Sequence, residues 1–155
     1  MPIVYIGLGS NLGDREGQVL RAVHEMRSFS RVKKISTLRE SEPMGMADQP
    51  KFVNAVVEID TDFNPQEVMV ELLRIEAEMG RTREGPKGGP REIDLDLVAY
   101  ENEVVEKEDL QVPHARMHER RFVLEPLIEL NPSWVHPKLQ ASAVQLLSKL
   151  PPDRD

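Results

Sequence analysis

The sequence predicts an α+β sandwich of the split β-α-β type. Its elements run strand, helix, strand, strand, helix, strand around one antiparallel sheet, with additional C-terminal helices. Three observations carry this. Apolar or alternating runs of strand length recur at residues 4–9, 32–40, 52–61 and 92–100. Two intervening stretches place apolar residues at helical spacing behind a capping residue, and glycine and proline punctuate the boundaries.

Val4-Tyr5-Ile6-Gly7-Leu8-Gly9 reads as a short, largely buried strand running into the turn Ser10-Asn11-Leu12-Gly13. Asp14 has the character of an N-cap. Val19, Leu20, Val23 and Met26 then share one face of a helix over 15–29, while Arg15, Glu16, Arg21, Glu25 and Arg27 stay wet. Residues 32–40 alternate as a strand, and 52–61 form a second, stronger one rich in valine and isoleucine. The loop between them, 41–50, is too long for a simple hairpin, and long loops in small domains often carry function. Asn64-Pro65-Gln66-Glu67 combines a cap, a proline at the first helical position and a glutamate three after the cap, so a helix starts there; Gly80 ends it. Glu76 lies on or beside that helix's apolar stripe and in its last turn, where the helix dipole disfavours negative charge. It is either an edge residue reaching water or a ligand contact.

Residues 81–91 carry three glycines and two prolines and form an irregular, mobile loop. Residues 92–100 alternate acid and aliphatic as a fourth strand, with Val104-Val105 a short partner across the Glu101-Asn102-Glu103 turn. A helical stretch over 117–130 contains Pro126 and should break or kink there. A last short helix covers 142–150.

The chain of 155 residues is one domain's worth of protein, read as a single unit over 1–155. With 39% hydrophobic and 30% charged residues it falls in the ordinary globular range. No apolar run approaches the roughly 18 residues of a membrane span, and the first residues lack a secretory pattern, so a soluble cytoplasmic protein is expected. The absence of cysteine removes disulfides, thiol nucleophiles and cysteine-ligated metals. A net charge of −7 and 5% aromatics argue against general nucleic-acid binding, which needs a basic face.

Several motifs fail. Gly7-Leu8-Gly9 is followed by Leu12 where a dinucleotide fingerprint needs glycine, and Lys87 precedes Gly88 with no Ser or Thr after it, so it is no P-loop. His114 and His118, four apart and followed by Glu119, do not follow the order of the zinc peptidases. The strong signal is Asp94-Leu95-Asp96. On a strand these carboxylates share a face, roughly 6–7 Å apart at the backbone, while Ile93, Leu95 and Leu97 turn to the core. Aspartate is disfavoured in strands and like charges side by side raise each other's cost, so a shared cation such as Mg²⁺ fits; a solvated acidic face is the alternative. The loop before it holds Arg81, Arg83, Lys87 and Arg91 against Glu84, and Arg116, Arg120 and Arg121 form a second basic cluster. Metal from one side and guanidinium from the other suit a polyphosphate, pointing to phosphoryl chemistry on a nucleotide.

Residues 87–98, Lys-Gly-Gly-Pro-Arg-Glu-Ile-Asp-Leu-Asp-Leu-Val, resemble the signature of the 6-hydroxymethyl-7,8-dihydropterin pyrophosphokinases. The glycine-Ser-Asn turn at 7–13 resembles that family too. So do Asp48-Gln49-Pro50 with Phe52 and Asn54, and Val112-Pro113-His114 followed by Met117, Arg120, Phe122 and Pro126. The resemblance implies a ferredoxin-like sandwich. It also implies transfer of the β,γ-pyrophosphoryl group of ATP to the pterin hydroxymethyl oxygen, giving AMP and the pterin diphosphate in folate synthesis.

By the same resemblance Asp94 and Asp96 would hold two Mg²⁺ ions and, with Arg81 and Arg91, form the catalytic set. Glu76, Arg83, Arg91, Leu97, His114 and Arg120 match ATP-contacting positions. Ser41, Pro43, Met44, Phe52, Asn54 and Phe122 match pterin-contacting ones, with the two phenylalanines sandwiching the ring. Gly88 stands where some relatives carry a large aromatic, and Asp109, Gln111 and Ala115 also depart from the pattern. ATP and the pterin are the expected small-molecule substrates, with no nucleic acid or membrane partner, in a monomer or weak homo-oligomer. A catalytically weak or regulatory relative of the fold, or a nucleic-acid-binding module of it, are the competing expectations.

Overall fold

The computed structural model describes residues 1–41, 50–80 and 93–151. Its main sheet is built from β1 (Ile3–Ser10), β2 (Arg31–Ile35), β3 (Arg39–Ser41), β4 (Phe52–Asp60) and β5 (Asp94–Tyr100). The order is β2-β4-β1-β5, every pairing is antiparallel, and β3 continues the line of β2 against β4. Two helices, α1 (Arg15–Glu25) and α2 (Pro65–Glu78), join these strands, while α3 (Arg121–Leu130) and α4 (Ala143–Ser148) follow the sheet.

The caps are those the local sequence dictates. Asp14 accepts from Gly17 N–H at 3.1 Å, and a Cβ at Gly17 would push that carboxylate out of its capping position. Asn64 and Glu67 form a reciprocal capping box at 2.9 and 3.0 Å. Gly80 follows α2 at φ 86°, a left-handed conformation natural to glycine after a helix end.

The sheet separates two cores. Val4, Ile6, Leu8, Val57, Ile59, Leu95 and Leu97 pack with Val19, Met26, Val68, Leu72 and Ile75 of the α1–α2 side. Tyr5, Val56, Val98 and Ala99 pack with Met117, Val123, Leu124, Leu127 and Leu146 of the α3–α4 side. Fully burying each such aliphatic side chain stabilises by about 1.5–3 kcal/mol.

Four expectations change. The strand over 32–40 is split at Ser36: its N–H still donates to Val56 O, but Val56 N–H donates to the Ser36 side-chain Oγ, both at 2.9 Å. Helix one ends at Glu25 and tightens into a 3₁₀ turn at Met26–Ser28. Val105 does not pair with β5. It opens β6 (Val105–Lys107), which folds through a tight turn onto β7 (Leu110–Val112). The 117–130 stretch breaks at Arg120, not at Pro126. Met117–Glu119 is a 3₁₀ turn, Arg120 is extended at φ −113° and ψ 102°, and α3 runs on through Pro126, which is buried. Only one intrahelical bond is lost at that proline, and burial on the α3 stripe compensates. The 41–50 loop falls largely, and the 81–91 loop wholly, outside the described residues.

A buried polar node ties the α3–α4 layer to the sheet. Tyr5 Oη donates to Glu58 Oε1 at 2.9 Å and accepts from Asn131 Nδ2 at 3.1 Å. Burial, with the Glu58 carboxylate beside it, raises the phenol to about 12. The folded state therefore holds the Tyr5 proton more tightly than the unfolded chain. The resulting stability is complete below about pH 10 and is lost as the pH rises from about 10 to 12. Urea unfolding of wild type and Tyr5→Phe across this range checks it: the wild type should lose stability more steeply, and the variant's deficit should shrink as pH rises.

Candidate active site

The site is assembled where β4, β1 and β5 lie side by side. Along β5, Leu95 and Leu97 are buried in the α1–α2 core, so alternation turns Asp94 and Asp96 to the opposite face. The alternation ends at a bulge. Tyr5 pairs with Ala99 and Ile6 with Leu97, so Val98 is the extra residue, and both Val98 and Ala99 join the α3–α4 core. The bulge lets one strand present two acids at its start and two core residues on the same face further on.

Next to the acids the floor is bare backbone. Gly9 pairs with Asp94 on one side and Asn54 on the other, and Gly7 pairs with Asp96 and Val56. A Cβ at Gly9 would stand 2.8 Å from Asn54 Nδ2 and 3.4 Å from the Phe52 ring, and one at Gly7 would stand 3.3 Å from Val98 Cγ2. The two glycines thus hold open a shallow trough between the acids of β5 and the Asn54 and Phe52 side chains of β4. Asn54 is buried, and its Oδ1 accepts a hydrogen bond from Ser41 Oγ on β3, which leaves the amide NH₂ turned to the glycine side. The sequence signal for this floor is Gly-x-Gly inside a strand, where glycine is otherwise unfavourable. Only the pairing register tells what stands on either side.

On the outer flank of β5 a cleft of about 420 Å³ is lined by Asp94, Asp96, Glu76, His114 and Arg120, with Met69 and Leu73 of α2 and Asp109, Gln111 and Ala115 of the β6–β7 side. Met69, Leu73 and Glu76 are spaced i, i+4 and i+7, one stripe of α2, so part of what the sequence reads as core stripe is cleft wall. Glu76 is only 4% exposed, and its Oε2 accepts from Leu95 N–H at 2.8 Å. Leu97 is buried beneath the cleft with its side chain in the core.

The basic cluster around residue 120 divides. Arg120, turned inward by its extended backbone, places Nη1 3.5 Å from Asp96 Oδ2 and its guanidinium 5.6 Å from the centre of the Phe122 ring. Arg116 instead pairs with Glu119, and Arg121 reaches Glu125 and Pro151 O. His114 Nε2 lies 3.8 Å from Asp96 Oδ1, too long for a hydrogen bond. Burial, then Arg120, drive its imidazole down to about 4 against the attraction of Asp94, with Arg116 adding to the depression. It is a neutral ring at pH 7. His118, paired with Glu119, is not among the residues lining this cleft.

Of the residues singled out from the sequence, Glu76, Asp94, Asp96, Leu97, His114 and Arg120 come together at the cleft. Ser41, Phe52 and Asn54 cluster at the trough. Phe122 stands beside Arg120, half-buried, and no ring contact joins it to Phe52 among the described residues. Arg81, Arg83, Arg91, Pro43 and Met44 lie outside the described residues.

Known proteins are similar to this chain in sequence and in fold. The sequence pattern of 7,8-dihydro-6-hydroxymethylpterin-pyrophosphokinase matches residues 5–132. A 2-amino-4-hydroxy-6-hydroxymethyldihydropteridine pyrophosphokinase of Bacillus subtilis is 47% identical over 130 residues, covering 83% of this chain and 77% of its own. That of Aquifex aeolicus is 42% identical over 137 residues, covering 88% and 85%. A folic acid synthesis protein of Pneumocystis carinii is 43% identical over 148 residues, 95% of this chain, but the match spans only 20% of its length. Among solved structures, Plasmodium falciparum HPPK-DHPS superposes with a TM-score of 0.76 over 96% of this chain and 44% of its own, at 15% identity, which speaks to fold alone. With the matched region reaching from β1 to the end of α3 and so containing the glycine trough, the aspartate pair and Arg120, the chain belongs to the 7,8-dihydro-6-hydroxymethylpterin-pyrophosphokinase family.

Proposed function

We propose that this protein transfers the β,γ-pyrophosphoryl group of ATP to the hydroxymethyl oxygen of 6-hydroxymethyl-7,8-dihydropterin, in folate synthesis. The observation that carries the reading is the aspartate pair, set between a cleft containing Arg120 and a glycine-floored trough ending at Asn54 and Phe52. The strand order β2-β4-β1-β5 with α1 and α2 on one face supports the ferredoxin-like form of the sandwich. Residues 1–155 are read as one catalytic domain working in the cytoplasm.

The donor set fits magnesium. Asp94 and Asp96 offer two hard carboxylates on one face of β5, which suits an ion that takes its remaining positions from phosphates and water. Asp94 and Asp96 would hold two Mg²⁺ ions; when bound, these neutralise the triphosphate and acidify the hydroxyl. The hydroxymethyl oxygen attacks the β-phosphorus, the bond from that phosphorus to the α-phosphate oxygen breaks, AMP leaves and the hydroxyl proton is released.

Each side chain has a part in this. Arg120, partly exposed in the cleft with its Nη1 3.5 Å from Asp96 Oδ2, can turn guanidinium N–H donors to a phosphate. His114, neutral, can donate one hydrogen bond without adding charge. Leu97 and Glu76 form the inner wall on the ATP side. Arg81, Arg83 and Arg91 complete the phosphate clamp by the family resemblance. Asn54, its amide fixed by Ser41, reads the polar edge of the pterin, with Phe52 and Phe122 on its flat faces and Pro43 and Met44 in the adjoining loop.

The direct test is nucleotide product analysis with ATP and Mg²⁺, with and without the pterin. Pterin-dependent AMP supports the reading, whereas ADP or no product overturns it. Asp94→Asn and Asp96→Asn should each lower turnover by about 100-fold or more while leaving circular dichroism and Tm near wild type. Near-normal turnover in either would remove that residue from the metal set. Gly9→Ala should raise the KM for the pterin by about tenfold, because its Cβ must displace the Asn54 amide, and leave the Mg²⁺ dependence of the reaction unchanged.

A further inference from the structure

Glu76 is the most anomalous side chain in the described chain. It sits in the last turn of α2, between Leu72 and Ile75 on one side and Met79 on the other, all buried, and is itself 4% exposed. A carboxylate there costs several kcal/mol of desolvation and sits against the negative end of the helix dipole. Methionine or leucine would suit the position better on packing grounds, so the charge must serve something local.

One thing it serves is the free side of β5. In the sheet order β2-β4-β1-β5 this strand is the last, hydrogen-bonded to β1 alone among the described strands. Leu95 lies opposite Leu8, and its N–H points away from β1, to the edge, where Glu76 Oε2 accepts it at 2.8 Å in a buried, charge-assisted bond. Further along the same edge, His114 N–H donates to Val98 O at 2.9 Å. These two contacts bracket Asp96, and Leu95 itself separates Asp94 from Asp96.

Edge strands fray and slip, and a slip of one residue turns every side chain to the other face. Here it would bury Asp94 and Asp96 and expose Leu95 and Leu97. We infer that Glu76 is a positioning residue: its carboxylate pins the Leu95 peptide at the sheet edge and so fixes the spacing and direction of the Asp94–Asp96 pair, separately from any contact with nucleotide. The catalytic part of this inference rests on the proposed function; the structural part does not.

The experiment uses Glu76→Met, which deletes the acceptor while suiting the apolar stripe, and Glu76→Gln, which keeps an acceptor oxygen and deletes the charge. Amide hydrogen exchange of the Leu95 N–H, read by NMR without metal or nucleotide, should be at least about tenfold faster in Glu76→Met and near wild type in Glu76→Gln, while the amides of the β1–β4 ladder exchange as in wild type in both variants. In turnover assays Glu76→Met should raise the half-saturating Mg²⁺ concentration by about 10-fold or more with the KM for the pterin unchanged, and Glu76→Gln should recover most of that loss. Wild-type exchange at Leu95 in Glu76→Met overturns the inference. So does a Glu76→Gln variant that retains Leu95 protection yet is as impaired in turnover as Glu76→Met, since the charge itself would then be what matters. If the wild-type protein makes no AMP, the proposed function falls, while the exchange data still decide whether Glu76 holds the strand.

Discussion

The antiparallel pairing of β5 with β1 is the constraint on which the rest of the site depends. One register places Gly9 beside Asp94 and Gly7 beside Asp96, and that single alignment creates the acid pair, the bare floor next to it and the distance to Asn54 across β1. The pairing is held from below by Leu95 and Leu97 in the α1–α2 core. At its free edge it is held by the Leu95 and Val98 backbone bonds to Glu76 and His114. Residues facing three directions from one strand therefore secure the same two carboxylates.

The surroundings of those carboxylates show how a small domain concentrates charge without losing its fold. Asp96 keeps Arg120 within 3.5 Å while remaining 29% exposed, so the like charges of the pair are offset by a cation that is still open to solvent and to a ligand. His114, close by but neutral, adds no further positive charge. Arg120 reaches this place because the backbone is extended at one residue between a 3₁₀ turn and α3. The neighbouring Arg116, in the turn before Met117, and Arg121, in the first turn of α3, pair with Glu119 and Glu125 instead.

The two sheet faces divide the labour. The α1–α2 face is continuous core along β1, whereas the other face is core only at the Tyr5 end and becomes trough at the glycine end. The Val98 bulge marks the changeover on β5, returning the strand to core duty two residues after Asp96. The Tyr5–Glu58–Asn131 node closes the core end and anchors the end of α3 to the sheet, while Arg120, just before α3, lies beside Asp96. Membership of the pyrophosphokinase family covers all of these elements, from β1 through α3.

What the sequence by itself determined is whatever depends on neighbours within a few residues. The Asn64–Glu67 capping box, the Asp14 cap, the Gly80 stop and the inward–outward alternation of Ile93 to Leu97 are all local chemistry, and all are present. The motif positions carrying the family resemblance were legible for the same reason, since each is a short run of fixed spacing. Only the tertiary structure decided which of these residues meet. It split 32–40 because Ser36 bonds to Val56 twenty residues away, and it paired Val105 with Val112 instead of with β5. It broke the 117–130 helix at Arg120, where an ion pair with Asp96 lies, and let Pro126 pass inside a helix whose burial offsets the lost bond. Glu76 shows the limit most clearly. Its position on an apolar stripe was readable from spacing, but the Leu95 N–H that it accepts lies nineteen residues away, which helical periodicity does not encode.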